Sequence, residues 1–189
     1  MNTIAFVPGA AGITIGSDAK LETPYRAGFD GVLPDVRVHG GTVTVVFPRS
    51  FHVRDRRRAG EVVLKGTEPW RIEVRGGTSR LTADLRGLRV TALDLQGGAE
   101  QVAVELPAPE GSVPVRIAGG ASHVRFGCPT SVPVRLSLIG GGTGITFGER
   151  HLGAVGAGTT LADPGWQDGT DRYDILVTGG ADTLTVERW

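Results

Sequence analysis

Apolar residues recur along this chain in a fixed relation to pairs of glycines. Take the second glycine of each pair as origin: Gly41, Gly77, Gly98, Gly120, Gly141 and Gly180. Three positions earlier stand Val38, Val74, Leu95, Ile117, Leu138 and Val177, and five earlier Val36, Ile72, Leu93, Val115, Leu136 and Ile175. Four positions later come Val45, Leu81, Val102, Val124, Ile145 and Leu184, and six later Phe47, Ala83, Val104, Phe126, Phe147 and Val186. Every column is apolar in every unit, although only 40% of the chain is hydrophobic. The step of two on either side of the glycines is the period of a half-buried strand, not of a helix. Each unit therefore reads as strand, tight Gly-Gly corner, strand, with glycine supplying the backbone freedom of the corner. Between the inward columns lie Arg37, Glu73, Asp94, Arg116, Ser137 and Leu176, the mixture of a solvated outer face.

The anchors from Gly77 to Gly141 are 21, 22 and 21 residues apart. A fixed period of that size in strands and turns predicts an all-β, single-domain β-solenoid, β-helix-like, with coils of 21–22 residues over 36–189. The alternative is a β-sandwich of hairpins, each Gly-Gly a type I′ or II′ turn. The near-identical segments Ser112-Val113-Pro114-Val115-Arg116 and Ser131-Val132-Pro133-Val134-Arg135 favour the solenoid, with Pro114 and Pro133 expected to stack at one corner. The longer outer gaps, 36 and 39 residues, are each expected to hold an insertion or a degenerate coil, at about 48–70 and 149–172. The poorly periodic segment 1–35 is expected to be a cap or irregular piece that covers the first coil.

Composition narrows the functions. A net charge of zero and a pI near 6.9 give no general attraction to nucleic acid or anionic membrane. Only Lys20 and Lys65 among the 20 basic residues are lysine. The single Cys128 rules out an intramolecular disulfide and a cysteine zinc cluster, and reads as a small residue at a corner. With no signal-peptide pattern at 1–11 and no long apolar run, direct membrane insertion is not expected and the chain is expected to be cytoplasmic.

Candidate chemistry is thin. Gly140-Gly141-Gly142-Thr143-Gly144 and Gly9–Gly16 lack the lysine and the following helix of a phosphate cradle, and read as turns. His39, His52, His123 and His151 are scattered; His39 and His123 could approach across coils, but no third metal ligand is placed by spacing. Asp163, Asp168, Asp171 and Asp174 crowd one segment with Trp166, without the spacing of a calcium loop. Glu73, Asp84 and Asp94 offer carboxylates, but nothing pairs them for glycosidic chemistry. The run Arg54-Asp55-Arg56-Arg57-Arg58 reads as a solvated loop that could touch an acidic partner.

Apolar strand, Gly-Gly-Ala-Ser/Asp, strand, then Val-Pro-Val-Arg, seen at Gly97–Val104, Val113–Phe126, Val132–Phe147 and Arg172–Trp189, resembles the bacterial toastrack-type, adhesin-like β-solenoids. That group includes a widespread domain of unknown function and the C-terminal domain of LiaF-type envelope-stress proteins. The resemblance covers about Trp70 to the end, with an echo at Val36–Phe47. It implies a non-enzymatic interaction or sensing module without catalytic residues or cofactors, in a stress-sensing or envelope-related setting. Three functions are therefore weighed. The first is a structural and protein-interaction module, self-association included, with Trp70 and Trp189 as end-face contacts. The second is a carbohydrate or polymer binder using Trp166, Arg172 and the Asp-rich segment. The third and most remote is a solenoid enzyme. Arg56, Arg57 and Arg58 complete the candidate contact residues.

Overall fold

The computed structural model describes residues 2–8, 12–31, 33–47 and 58–189. Its regular elements are β1 (Asn2–Val7), β2 (Gly12–Asp18), β3 (Tyr25–Gly31), β4 (Asp35–His39), β5 (Thr42–Val46), β6 (Arg58–Lys65), β7 (Pro69–Arg75), β8 (Leu81–Asp84) and β9 (Arg89–Gln96). They continue with β10 (Ala99–Glu105), β11 (Ser112–Ala118), β12 (Ala121–Cys128), β13 (Val134–Leu138), β14 (Gly142–Phe147), β15 (Arg150–Val155), β16 (Thr159–Ala162), β17 (Arg172–Val177) and β18 (Ala181–Arg188). One sheet runs β4-β5-β1-β7-β9-β11-β17-β13-β16 and the other β3-β6-β2-β8-β10-β12-β18-β14-β15. Each coil gives one strand to each sheet. Neighbours pair in parallel along the middle of both sheets, and antiparallel only at the outermost strands β3, β4, β15 and β16. The architecture is the solenoid-like stack that the glycine period predicts.

The period-two columns explain the core. In the five units from Gly77 to Gly180 all four columns are buried, and they join one cluster that runs from Ile4 to Val186 between the sheets. Trp70, Tyr173, Phe6, Phe47, Phe126 and Phe147 are its largest fully buried side chains. Burial of each such side chain is worth about 1.5–3 kcal/mol, which offsets the ordering of many short strands.

Three expectations from the sequence need correction, and the order of the coils adds a finding of its own. Gly40-Gly41 is not a corner between sheets but the turn of a hairpin, because β4 and β5 pair antiparallel and His39 faces Thr42. Val38 therefore lies on an edge strand, 62% exposed. Coil order departs from chain order: β17–β18 slot between β11–β12 and β13–β14, as β1–β2 slot between β5–β6 and β7–β8. Pro114 and Pro133 do not stack, because Pro114 faces Asp174, Asp174 faces Arg135, and β17 separates the two segments. The residue-for-residue repeat is thus two positions out of structural register. Finally, Trp70 is no end-face contact: it is fully buried, and its indole Nε1 donates to the Lys65 carbonyl at 3.0 Å.

Segment 1–35 supplies both an interior coil (β1 and β2) and the edge strand β3. The gap after Gly41 holds β6, the second strand of a regular coil, and the gap after Gly141 holds β15 and β16, which close the far end.

Candidate functional site

Five Gly-Gly corners, after β7, β9, β11, β17 and β13, stack directly on one another. A Cβ on Gly97 would lie 2.6 Å from the Gly77 nitrogen, one on Gly119 2.6 Å from the Gly97 oxygen, and one on Gly140 2.6 Å from the Gly179 carbonyl carbon. Gly179 shows the same crowding without a positive φ, so close approach, not φ alone, demands glycine there. Main-chain bonds lace the column together, among them Gly97 N–H to the Ala118 carbonyl at 2.9 Å and Gly179 N–H to the Gly119 carbonyl at 3.0 Å.

Just past each corner the strand bulges. Ala99, Ala121 and Ala181 point inward, and the next inward residues, Val102, Val124 and Leu184, come three positions later instead of two. The extra residues Gln101, His123 and Thr183 drop out of the ladder at φ 52°, 53° and 54°, with Gly144 at φ 60° in the next coil. Left-handed backbone at non-glycine residues costs about 1–2 kcal/mol each, and most at β-branched threonine. The bulges turn two successive side chains outward in each coil and hollow the surface over the corners.

The result is a groove of about 880 Å³ floored by Gly98, Gly120, Gly141 and Gly180 with Ala99, Ala121 and Ala181. At about 4.8 Å per strand, five corners give a length of roughly 19 Å. One rim is a ladder in which Glu100 faces Ser122, Ser122 faces Asp182, and Asp182 faces Thr143, whose Oγ1 donates to Asp182 Oδ1 at 2.9 Å. Ala154 and Val155 of β15 line the far end. The rim carries carboxylates and hydroxyls, with His123 against Ser122 and no Lys or Arg in the lining among the described residues, so it suits neutral hydroxylated or cationic groups better than phosphate. The groove is the feature that sequence reasoning missed; Gly-Gly-Ala followed by two polar residues was its signal.

The residues singled out from the sequence fall elsewhere. Trp166 and Arg172 are brought together: the guanidinium of Arg172 lies 4.4 Å from the ring centre, and that of Arg135 3.9 Å. Its Nε1 donates to the Tyr173 carbonyl at 3.0 Å, and Arg172 donates to the Trp166 and Gln167 carbonyls at 3.1 Å each. These contacts pin the loop, and the half-buried ring lines a cavity of about 370 Å³ with Arg135, Asp163 and Asp168. Three of the four neighbouring acids are engaged as well. Asp163 accepts from Val134 N–H and pairs with Arg188, Asp171 accepts from Gly111 N–H at 2.6 Å, and Asp174 takes both arms of Arg135. Trp189 is half-exposed and its guanidinium neighbour is Arg86, 5.9 Å from the ring. It follows an interior coil and lies on the flank of the stack, not at its end. Arg56 and Arg57 lie outside the described residues, and Arg58 opens β6. His39 and His123 sit on different sheets, at an end and in the middle, and are not brought together. Among the described residues no group of three or more His, Cys, Asp or Glu side chains is placed to hold a metal ion.

Ion pairs run across the outer faces of both sheets. On the first sheet Arg71 bridges Glu73 and Asp94, and Arg75 pairs with Glu73. Burial pushes the Glu73 carboxyl up, but hydrogen bonds from Arg75 and Arg71 outweigh it and hold the group below its ordinary 4.5. On the second sheet Arg125 bridges Glu105 and Glu187 across Gly127, whose missing side chain leaves room for the Glu105 carboxylate. Cys128 is fully buried, and burial pushes its thiol up to about 12, which disqualifies it as a nucleophile near neutrality.

No protein-family model matches the chain, and no curated protein matches it. Among solved structures, a candidate cell adhesion protein from Clostridium sporogenes is similar to it with a TM-score of 0.71 at 13% identity, over 100% of this chain and 92% of that one. A candidate adhesin from Bacteroides fragilis aligns over 100% of this chain and 92% of its own at 11% identity, with a TM-score of 0.33. The Clostridium likeness shows a shared fold. At that identity it carries the fold alone.

Proposed function

We propose that this chain is a non-enzymatic interaction module of the toastrack, adhesin-like kind, which associates with copies of itself through the ends of its stack. The observation that carries this reading is the open edge. Each of β3, β4, β15 and β16 has a neighbouring strand on one side only among the described residues. An unpaired row of N–H and C=O groups is a template for a further strand. The rigid parallel middle, with every inward column filled, would hold those edges in fixed positions. The name of the Clostridium neighbour, which concerns cell adhesion, agrees with a binding role. Light scattering behind size exclusion, from about 1 µM to about 1 mM, tests it across the range of weak to moderate contacts. A mass that rises with concentration, or end-to-end particles in negative stain, supports the reading. A constant 19.8 kDa overturns it.

A second reading has its own observation, the groove over the corners. Its length, Gly/Ala floor and ladder of hydroxyls and carboxylates fit an extended neutral polymer such as a glycan chain, which would lie flat and hydrogen-bond along the rim. Titration calorimetry with cello- and chito-hexaose checks it. Heat that vanishes in Asp182→Ala supports a groove site, and no heat with either sugar removes these glycans as ligands.

A further inference from the structure

Of the four exposed large hydrophobic side chains among the described residues, Leu33 (72%) and Val38 (62%) belong to a single sheet edge, formed by β4 and the residues leading into it. Gly40-Gly41, both at positive φ, makes the two-residue turn between β4 and β5. Such a turn is closed by a hydrogen-bonded pair, here His39 and Thr42. Alternation along an antiparallel pair then directs the main-chain groups of Arg37 and Asp35 toward β5 as well, and those of Val36 and Val38 toward the side where no described strand pairs. The edge thus offers two full sets of donor and acceptor, framed by Asp35 and Arg37. Pro34, which lacks an N–H, stands at the next outward position.

We propose that this edge binds a second copy of the chain, β4 against β4, antiparallel about a two-fold axis at Val36. The inference rests on the end-pairing reading above, and names the end and the partner. In this register Val36 faces Val36 of the second copy and the two exchange both main-chain bonds. Val38 N–H reaches the Pro34 carbonyl across the axis. Asp35 stands opposite Arg37, and the symmetry makes that pair twice. Charge selects the register. A shift of two residues, which centres the axis on Arg37, sets the two Arg37 side chains against each other. A shift of one turns the outward N–H and C=O groups away from their partners. The other end of the same sheet is β16, Thr159-Thr160-Leu161-Ala162, with no charge to fix a register. Within this sheet β4 is the end whose charges fix a register, and pairing through that edge alone gives a closed dimer and no filament.

The test is the mass and dissociation constant of the full chain by light scattering and sedimentation, for the native sequence and four variants. Asp35→Arg and Arg37→Asp each place like charges opposite twice and are expected to weaken the dimer at least about tenfold. The double variant D35R/R37D restores opposite charges and is expected to restore the dimer. Val36→Pro removes the central outward donor without touching a bond inside the sheet, so it is expected to give a folded monomer whose melt falls only by the lost packing of the Val36 side chain on the core. Leu161→Lys at the far end is expected to leave the dimer intact. Dimers indifferent to the β4 variants, or broken by Leu161→Lys, overturn the β4 assignment while end pairing survives. Filaments overturn the closed dimer, and a monomer throughout overturns both readings.

Discussion

Gly179→Ala isolates what the stacked corners contribute. A Cβ at this position would lie 2.5 Å from both the carbonyl carbon and oxygen of Gly119 and 2.7 Å from the Gly120 nitrogen, all main-chain atoms of the next coil. Carbon contacts settle at about 3.5–4.0 Å, so the coils must part by roughly 1 Å. That displacement strains the bond from Gly179 N–H to the Gly119 carbonyl, 3.0 Å, and the bond from Ala121 N–H to the Gly180 carbonyl, 2.9 Å. Two weakened main-chain bonds at about 1 kcal/mol each, with the lower end of the overpacking range, give a loss of about 3 kcal/mol. In a domain of this size that lowers Tm by about 6–12 °C. Gly98→Ala is the matched control: its Cβ would meet only the Gly120 oxygen, at 3.9 Å, and its φ is not positive. There the smaller entropy of the unfolded chain should dominate, for a gain of about 0.5 kcal/mol. Urea denaturation read as a midpoint shift at constant slope measures both. If the two variants fall within about 0.5 kcal/mol of each other, the corners are not in steric contact and the argument for paired glycines fails.

Other perturbations test separate parts of the structure. Thr183→Gly should raise stability by about 0.5–1 kcal/mol in the same urea assay, because relief of left-handed strain at a β-branched residue exceeds the added chain entropy. Cys128 and Tyr173 are acids that burial holds above their ordinary values, the thiol at about 12 against 9.0, so the unfolded chain loses those protons first. Their stability is therefore complete below about pH 9 and falls as pH rises beyond it, and Cys128→Ala should flatten the fall in a melt-against-pH series. Glu73 has the opposite sign: its folded value is depressed, so its contribution holds above about pH 4.5 and is lost on acidification, with a shallower loss in Glu73→Gln. Trp166→Ala should cost about 3 kcal/mol, through the two guanidinium contacts, the bond to the Tyr173 carbonyl and lost apolar contact, as read by urea midpoint.

The inward columns were legible because period two, once anchored on the glycines, leaves no freedom about which face is buried. In every coil from β7 onward those columns fill the core. What the pattern does not carry is which coil lies next to which. Parallel coils with similar apolar columns can exchange neighbours without changing any residue's inward or outward sense. The slotting of β17–β18 between β11–β12 and β13–β14 is therefore invisible to periodicity. The same blindness made Gly40-Gly41 look like a coil corner, since a hairpin turn and an inter-sheet corner both ask for glycine at φ > 0. The groove escaped notice for a different reason. Its floor is backbone and methyl groups, whereas a search by residue chemistry looks for charged and nucleophilic side chains. Trp166 drew attention as an aromatic among acids, but the arginines that pack against it, Arg135 and Arg172, come from β13 and β17.

The threading also bears on how the stack uses its ends. The first and last strands, β1 and β18, are each paired on both sides, so neither can peel away without breaking two parallel ladders. The exposed edges are instead antiparallel strands from the interior of the sequence, and two of them are held by a turn to the strand they cover: β4 to β5 through Gly40-Gly41, β15 to β14 through Gly148-Glu149. A strand fixed that way presents its outward groups in one register, whereas a fraying terminal coil would present several. An edge fixed in register can select a partner by the order of its charges, and Asp35 and Arg37 on β4 supply such an order. Exchange protection should follow the same division. Amides of β1 and β18 are expected to exchange with the global unfolding energy, and the outward amides of Val36 and Val38 to exchange fast in the monomer and slowly once a second copy is bound. Fast exchange at β1 and β18 would mean that the slotted coils open independently, and the edges would then lose their fixed registers.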